Sequence, residues 1–385
     1  MQKKNIIIWG AGKIGRGFIA ELFTTENFHV TFVDQSEALV NELNDRKSYQ
    51  IINAFDENNI QKVKISDYSA IALTAGNDEK IQEVFNQCDF IVVAVYPKFF
   101  NEVGAKLADH ILRRKEKIGP KPLDMILCTN LIHAGAEFKK GLHQGASEPD
   151  KKYFSESIGI VETLVIRICA DPNDEIKKED PLSVLTNGYS KLLVDSTGFK
   201  GQVPQFKTFK LVNNMHAEEK RKLFTYNMFH AVLAYFGVRK GYELIPECIA
   251  DEAIQKIAFG ALEESGSALV KEFNFSPSEM DEWKNNVIQQ TNNPIVGDTV
   301  FRYAADPIRK LNREDRLIGP TLLCIKHGVT PKNIIKGIAA GFLFKDENDP
   351  QSLKLQDFVA SVGIEKAIIE TCGLSDKEND LVDKI

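Results

Sequence analysis

The sequence predicts an α/β chain in two parts: a doubly wound parallel-sheet domain over residues 1–195 and a mostly α-helical domain over 196–385. Three observations predict it. A short apolar run, Asn5 to Trp9, feeds directly into a cluster of glycines and then into a helix-like segment, Phe18 to Phe23. Apolar runs of strand length recur through the first half, whereas after the turn-rich stretch Asp195 to Gly201 nearly every periodic segment carries helical spacing. Finally, 385 residues exceed one ordinary core and suit two domains of roughly 150 to 200 residues each.

Composition narrows the function classes. With 43% hydrophobic and 26% charged residues the chain has the proportions of a soluble globular protein. Its net charge of −6 comes without a dense basic block, so neither a nucleic-acid groove nor a membrane-binding face is expected, and nothing points to an obligate protein partner. The apolar run Phe90 to Tyr96 is far shorter than a membrane span requires. No signal-peptide pattern opens the chain, and the six cysteines are scattered without a C-x-x-C pair. Reduced thiols in a cytoplasmic protein are the expectation.

Taken in order, Asn5–Trp9 reads as a central buried strand running into Gly10-Ala-Gly12-Lys13-Ile14-Gly15-Arg-Gly17. Each glycine meets a demand of dinucleotide binding: Gly10 the tight turn, Gly12 the close approach of the pyrophosphate, Gly15 the packing of helix on strand. A second strand, Phe28 to Val33, ends in Asp34, where an acidic side chain would take ribose hydroxyls. This makes the first domain Rossmann-type, with Gly10, Gly12, Lys13, Ile14, Gly15 and Asp34 as its cofactor residues. Asp34 is followed by Gln35 and Ser36 rather than arginine, which favours NAD over NADP. Lys62–Ile65 and Ile71–Leu73 are short strand candidates, and Glu79–Cys88 is helical. The run 90–95 is a strong buried strand that brings Val95 to its carboxyl end, where ligands gather in open α/β sheets. A helix over Phe99–Lys115 leads to a strand over Asp124–Cys128, which delivers Asn130 to the same edge; an asparagine bonding its own turn is the alternative there. Glu162–Ile168 reads as another strand, 171–180 as a polar loop and Tyr189–Val194 as the last strand.

The segment Lys220 to Phe236 reads as a helix apolar almost all the way round, hence buried. It nevertheless carries Lys222, Asn227 and His230, which fall at about 0°, 140° and 80° around a helix axis and share one side. Polar groups in such a place must be paired or must line a wet cavity, because leaving one unsatisfied costs about 1 to 3 kcal/mol. A structural hydrogen-bond network, or a lysine reaching the surface, is the alternative. Further helices are expected over 248–272, 278–290, 321–326, 333–344 and 352–369. Between them, Arg302, Arg309, Lys310, Arg313 and Arg316 could gather on a phosphate, or pair with Asp306, Glu314 and Asp315 as surface ion pairs.

These marks resemble the polyol-specific long-chain dehydrogenases. Lys222, Asn227 and His230 match that family's K-x4-N-x2-H signature. The stretches 194–204, 220–225, 260–266 and 307–320, with the glycine loop, Asp34 and the run Asn44–Tyr49, look like its mannitol-phosphate branch. The resemblance implies an NAD-dependent, metal-independent oxidoreductase interconverting mannitol 1-phosphate and fructose 6-phosphate. It further implies Lys222 as general acid/base, with Asn130, Asn227 and His230 holding the reacting oxygen, and supports Arg309, Lys310 and Arg316 as the phosphate site. An unphosphorylated polyol or a hexuronate is the alternative substrate, and a catalytically inactive NAD-binding sensor the alternative of another class. Three departures from the branch stand out: Thr129 before the strand-end asparagine, Val165-Ile166-Arg167-Ile168 without an aspartate, and Met228-Phe229 between Asn227 and His230.

Overall fold

Strand β1, Lys4–Trp9, shows why a continuous apolar run belongs at the centre of a parallel sheet. Ile6 and Ile8 enter a cluster with Phe18, Phe23 and Phe28, while Ile7 and Trp9 enter another with Phe85, Phe100 and Leu107. Alternate side chains leave a strand on opposite faces, and here both faces are covered. The computed structural model describes residues 3–129, 131, 133–296 and 298–385, Val296 and Asp376 by their backbone alone. The chain divides into two compact units, Met1–His216 and Ala217–Ile385. No helix among the described residues is long and apolar enough to cross a membrane, and all six cysteines are unpaired.

The N-terminal unit is a Rossmann-type α/β fold. Its strands are β1, β2 (Phe28–Asp34), β3 (Tyr49–Asp56), β4 (Asn59–Ile65), β5 (Tyr68–Ala72), β6 (Phe90–Val93), β7 (Leu123–Leu127), β8 (Ile158–Leu164), β9 (Cys169–Ala170), β10 (Val184–Thr186), β11 (Leu192–Asp195) and β12 (Phe209–Val212). Eight of them form one sheet in the order β12-β11-β8-β7-β6-β1-β2-β5, parallel except where β11 meets β8. The other four form a separate sheet, β4-β3-β10-β9. That second sheet is closely fitted to the first helix: a Cβ on Gly17 would lie 2.4 Å from Val184 Cγ1.

Several elements differ from the sequence reading. Strand β8 begins at Ile158 rather than Glu162, and by Arg167 the chain has left the ladder. The Arg167 guanidinium is buried, donating to Tyr189 O at 2.6 Å and Gly17 O at 3.2 Å and pairing with Glu21. Within the expected polar loop lies a short helix, Asp174–Glu179, capped by the Asn173 side chain, acidic in its first turn and basic in its last. The units divide at His216/Ala217, whereas the sequence reading placed the change at 195/196. Between those points β12 still pairs with β11 and extends the first unit.

The C-terminal unit is built of helices. Asp251 caps the helix Glu252–Phe273 and separates it from Ile245–Ala250, where a single helix was expected. Gly363, at φ +83°, divides Pro350–Val362 from Ile364–Cys372.

Candidate functional site

In the N-terminal unit the glycines do separate jobs. Gly10 sits at φ +108°, its N–H donates to Val33 O at 2.8 Å, and a Cβ there would lie 2.6 Å from Ala94 O. A Cβ on Gly15 would lie 2.2 Å from Gly10 O and 3.2 Å from Ile8 Cγ2, so strand and helix meet over bare backbone. Gly12 is different: among the described residues other than its neighbours in the chain, nothing lies within 4 Å of where its Cβ would be. The free space beside Gly12 is a groove. One part is lined by Gly10, Gly12, Asp34, Gln35 and Val95, and it continues past Gly12 along Lys13, Ile14, Val95, Cys128 and Thr129. A Cβ would fill the place where a pyrophosphate approaches the backbone, so these residues fit a dinucleotide. Gly10, Gly12, Lys13, Ile14, Asp34 and Val95 line the groove, and Gly15 supports it from below.

Asp34 is fixed by two backbone donors, Ala11 N–H at 2.7 Å and Ser36 N–H at 2.8 Å. Lys106, which lines the same part of the groove, is paired with Glu102 at 2.7 Å. Lys13 is paired with Asp171 at 2.5 Å, which holds that carboxyl below its ordinary range. Arg16 went unnoticed in the sequence. It is buried under the loop, its guanidinium bonded to Ala11 O and Leu182 O, while its own carbonyl accepts from Tyr49 OH at 2.9 Å. Asn130 lies outside the described residues.

In the C-terminal unit the helix around Lys222 is not uniform. An α-helix, Met215–Lys222, passes through a π-turn, Leu223–Asn227, into a second α-helix, Met228–Lys240. Inserting a wide turn leaves backbone carbonyls in need of partners, and nearby hydroxyls supply them. Thr225 Oγ1 donates to Arg221 O at 2.5 Å, and Ser265 Oγ donates to Phe224 O at 2.6 Å. Thr225 Oγ1 also accepts from Trp283 Nε1 at 2.8 Å. With five residues spanning what four would in a regular helix, Asn227 moves from about 140° to about 40° from Lys222, and the three polar residues fit within an arc of about 60°. The expected burial holds, since Met228 through Tyr235 are all buried.

The polar side chains of this helix have different surroundings. Arg221 is fully buried between the rings of Phe275 and Trp283, 4.4 and 4.0 Å from its guanidinium carbon, and pairs with Glu218 and Glu279. Lys222, next in sequence, has its ammonium drawn down to about 8, first by burial and then by the positive charge of Arg316. Asn227 is partly buried, and its amide has no hydrogen-bond partner among the described residues. His230 is buried, with Nε2 2.9 Å from Thr291 Oγ1 and its ring stacked on Tyr303 at 4.2 Å. Burial, followed by Arg316, Arg302, Lys222 and Lys310, pushes its imidazole down to about 3. A buried carboxylate, Glu219, lies three residues before Lys222.

The run of arginines separates into distinct tasks. Arg302 pairs with Asp298, and Arg313 makes a two-pronged pair with Glu378 at 2.7 and 2.8 Å. Arg309 is exposed and held by Asp306 and Asp315. Lys310 is buried, its ammonium donating to the carbonyls of Tyr303 and Ala305 at the end of the helix Val300–Ala304. Burial and the charges of Arg316 and Arg309 draw it down to about 7. Arg316 pairs with Asp315 through Nε alone, at 2.7 Å, and its two terminal nitrogens carry no bond among the described residues. It is also the cation that acts on both Lys222 and His230.

Comparison with known proteins places this architecture. A family model described as the mannitol dehydrogenase Rossmann domain matches residues 4–208, and one described as the mannitol dehydrogenase C-terminal domain matches residues 214–375. Among solved structures, a D-sorbitol dehydrogenase in substrate-free form is similar, with a TM-score of 0.84 and 16% identity over 99% of this chain and 91% of that one. The mannitol 2-dehydrogenase of Pseudomonas fluorescens, solved as a ternary complex with NAD and D-mannitol, has a TM-score of 0.73 and 14% identity over 100% of this chain and 90% of that one. With family models matching from residue 4 to residue 375, and with the glycine groove and the Lys222–Asn227–His230 helix in their expected units, the chain belongs to the mannitol dehydrogenase family of polyol dehydrogenases.

Proposed function

We propose that the protein is a cytoplasmic NAD-dependent dehydrogenase that interconverts mannitol 1-phosphate and fructose 6-phosphate, with Lys222 as general acid/base. The observation that carries this reading is a lysine drawn down to about 8, in part by the charge of an arginine whose terminal nitrogens carry no bond among the described residues. NAD+, when bound, takes up the hydride released from the carbinol carbon. Neutral Lys222 removes the hydroxyl proton as that hydride departs, and its protonated form returns the proton to the carbonyl oxygen in the reverse direction. The Asn227 amide, and Asn130 as the resemblance implies, steady the oxygen as it gains charge; one such donor is typically worth about a hundredfold or more in rate. Asp34 takes the adenosine ribose hydroxyls.

Of the three phosphate candidates, Arg316 bears most of the proposal. Arg309 already faces two carboxylates and Lys310 two carbonyls, which makes them supporting charges rather than direct ligands. The test is a comparison of kcat/KM for mannitol 1-phosphate, mannitol and a panel of polyols and hexuronates with NAD+ and NADP+. The phosphorylated substrate with NAD+ is expected to be preferred by at least tenfold, the worth of one charged hydrogen bond at about 1.5 to 3 kcal/mol. Equal or better use of mannitol or a hexuronate would remove the phosphate assignment. Cofactor binding without turnover on any substrate would favour the inactive sensor.

A further inference from the structure

Among the described residues, His230 is gripped at one nitrogen only. Its Nε2 lies 2.9 Å from Thr291 Oγ1, and Nδ1 has no bond to any described residue. Thr291 has a single hydroxyl proton, and that proton has another acceptor: Val287 O, one helical turn earlier, at 2.6 Å. A helical threonine donating to the carbonyl four residues back is an ordinary local bond. Hydroxyl donors sit nearer their acceptors than ring N–H donors do, at roughly 2.7 to 2.8 Å against 2.9 to 3.0 Å. Both distances therefore fit one arrangement, in which Thr291 donates to Val287 O and accepts from His230 Nε2–H.

We propose that Thr291 is a positioning residue that fixes His230 as its Nε2–H tautomer, so that Nδ1 presents a lone pair to a hydroxyl of the substrate. The bond made by one ring nitrogen decides what the other can do. Burial keeps the ring neutral, with its imidazole pushed down to about 3, and stacking on Tyr303, whose own hydroxyl is tied to Asp298, holds its plane. His230 is then an acceptor rather than a donor. It orients a substrate that carries an O–H at that point, and stabilisation of the developing oxyanion falls to the asparagine amides. A substrate with a bare methylene there offers Nδ1 nothing. This step rests on the polyol dehydrogenase reading above.

Nitrogen NMR of histidine-labelled protein tests the assignment without turnover. The His230 signals are identified by their loss in His230→Gln, and the protonated nitrogen is recognised by its couplings to the ring hydrogens. The wild-type protein is expected to carry its proton on Nε2, as is Thr291→Ser. In Thr291→Val the proton is expected to move to Nδ1, with kcat/KM on the polyol substrate reduced about tenfold, mostly through KM, because a ground-state contact is disturbed. A proton on Nδ1 in the wild type, or a tautomer unchanged in Thr291→Val, overturns the proposal. A tautomer that shifts as expected in a protein that oxidises no polyol supports the Thr291 bond and overturns the enzymatic reading instead.

Discussion

A lysine in water keeps its proton to about pH 10.4. Lys222 is held near 8, by burial first and by Arg316 second, so at neutral pH it can both take and return a proton. The sign of the resulting pH dependence is fixed. In the proposed mechanism alcohol oxidation needs the neutral amine, so its kcat/KM should rise with pH through an apparent pKa near 8; carbonyl reduction needs the ammonium and should fall through the same range. In Arg316→Ala, removing the neighbouring cation should move this midpoint upward, and it should also erase the preference for a phosphorylated over an unphosphorylated polyol. Initial rates in both directions between pH 6 and about 10 would show both effects. A midpoint unmoved in Arg316→Ala would mean that the charge of Arg316 does not reach the base. The K-x4-N-x2-H spacing of Lys222, Asn227 and His230 was legible in the sequence, because a spacing does not depend on the detail of the fold. The division of labour among the cations was not. It depends on Glu378 meeting Arg313, and on the carbonyls of Tyr303 and Ala305 meeting Lys310.

A spacing of five residues is awkward on a regular helix, where Lys222 and Asn227 diverge by about 140°. The π-turn at Leu223–Asn227 resolves it, and its stability depends on side chains that bond the displaced backbone. Thr225 both donates to Arg221 O and accepts from Trp283 Nε1 in a fully buried position. Thr225→Val keeps the shape and removes both bonds, so it should destabilise the protein by about 1 to 3 kcal/mol, read as a lower Tm or a lower denaturation midpoint. The loss should extend to kcat, because Lys222 immediately precedes the turn and Asn227 is its last residue. Thr225→Val with wild-type stability and rate would show that the turn holds itself. No local signal in Leu-Phe-Thr-Tyr-Asn announces such a turn. Its partners, Ser265 and Trp283, come from helices far along the chain, which is why the segment reads as one continuous helix in sequence. Elements with local signals were legible: β1 and β6 through their apolar runs, and the helices of the second unit through their spacing. The helix Asp174–Glu179 had its cap and charge bias in plain view, yet it is short and polar enough to pass for a loop.

Across the chain, the Rossmann-type unit and the helical unit were both visible in the pattern of apolar runs, whereas the four-stranded sheet was not. Strand β10 has three residues and β9 two, too few for a period to show, and they pair with β3 and with each other across long stretches of sequence. The glycine loop gives a further test that separates folding from function. Gly12→Ala meets open space, so the Tm without cofactor should be unchanged, while the rise in Tm produced by NAD+ should largely disappear. Gly10→Ala, at φ +108° and against Ala94 O, should lower the Tm itself. A full NAD+ shift in Gly12→Ala would contradict the assignment of the groove. The proposed roles of the groove and of the Lys222 helix are tested together by a single observable, the appearance of reduced cofactor at saturating mannitol 1-phosphate and NAD+, compared between the wild type and Lys222→Ala. Loss of general acid/base catalysis predicts turnover lower by about 10² to 10⁴ with NAD+ still bound. Near-normal turnover in Lys222→Ala, with cofactor binding intact, would contradict the proton-transfer role at the centre of this mechanism.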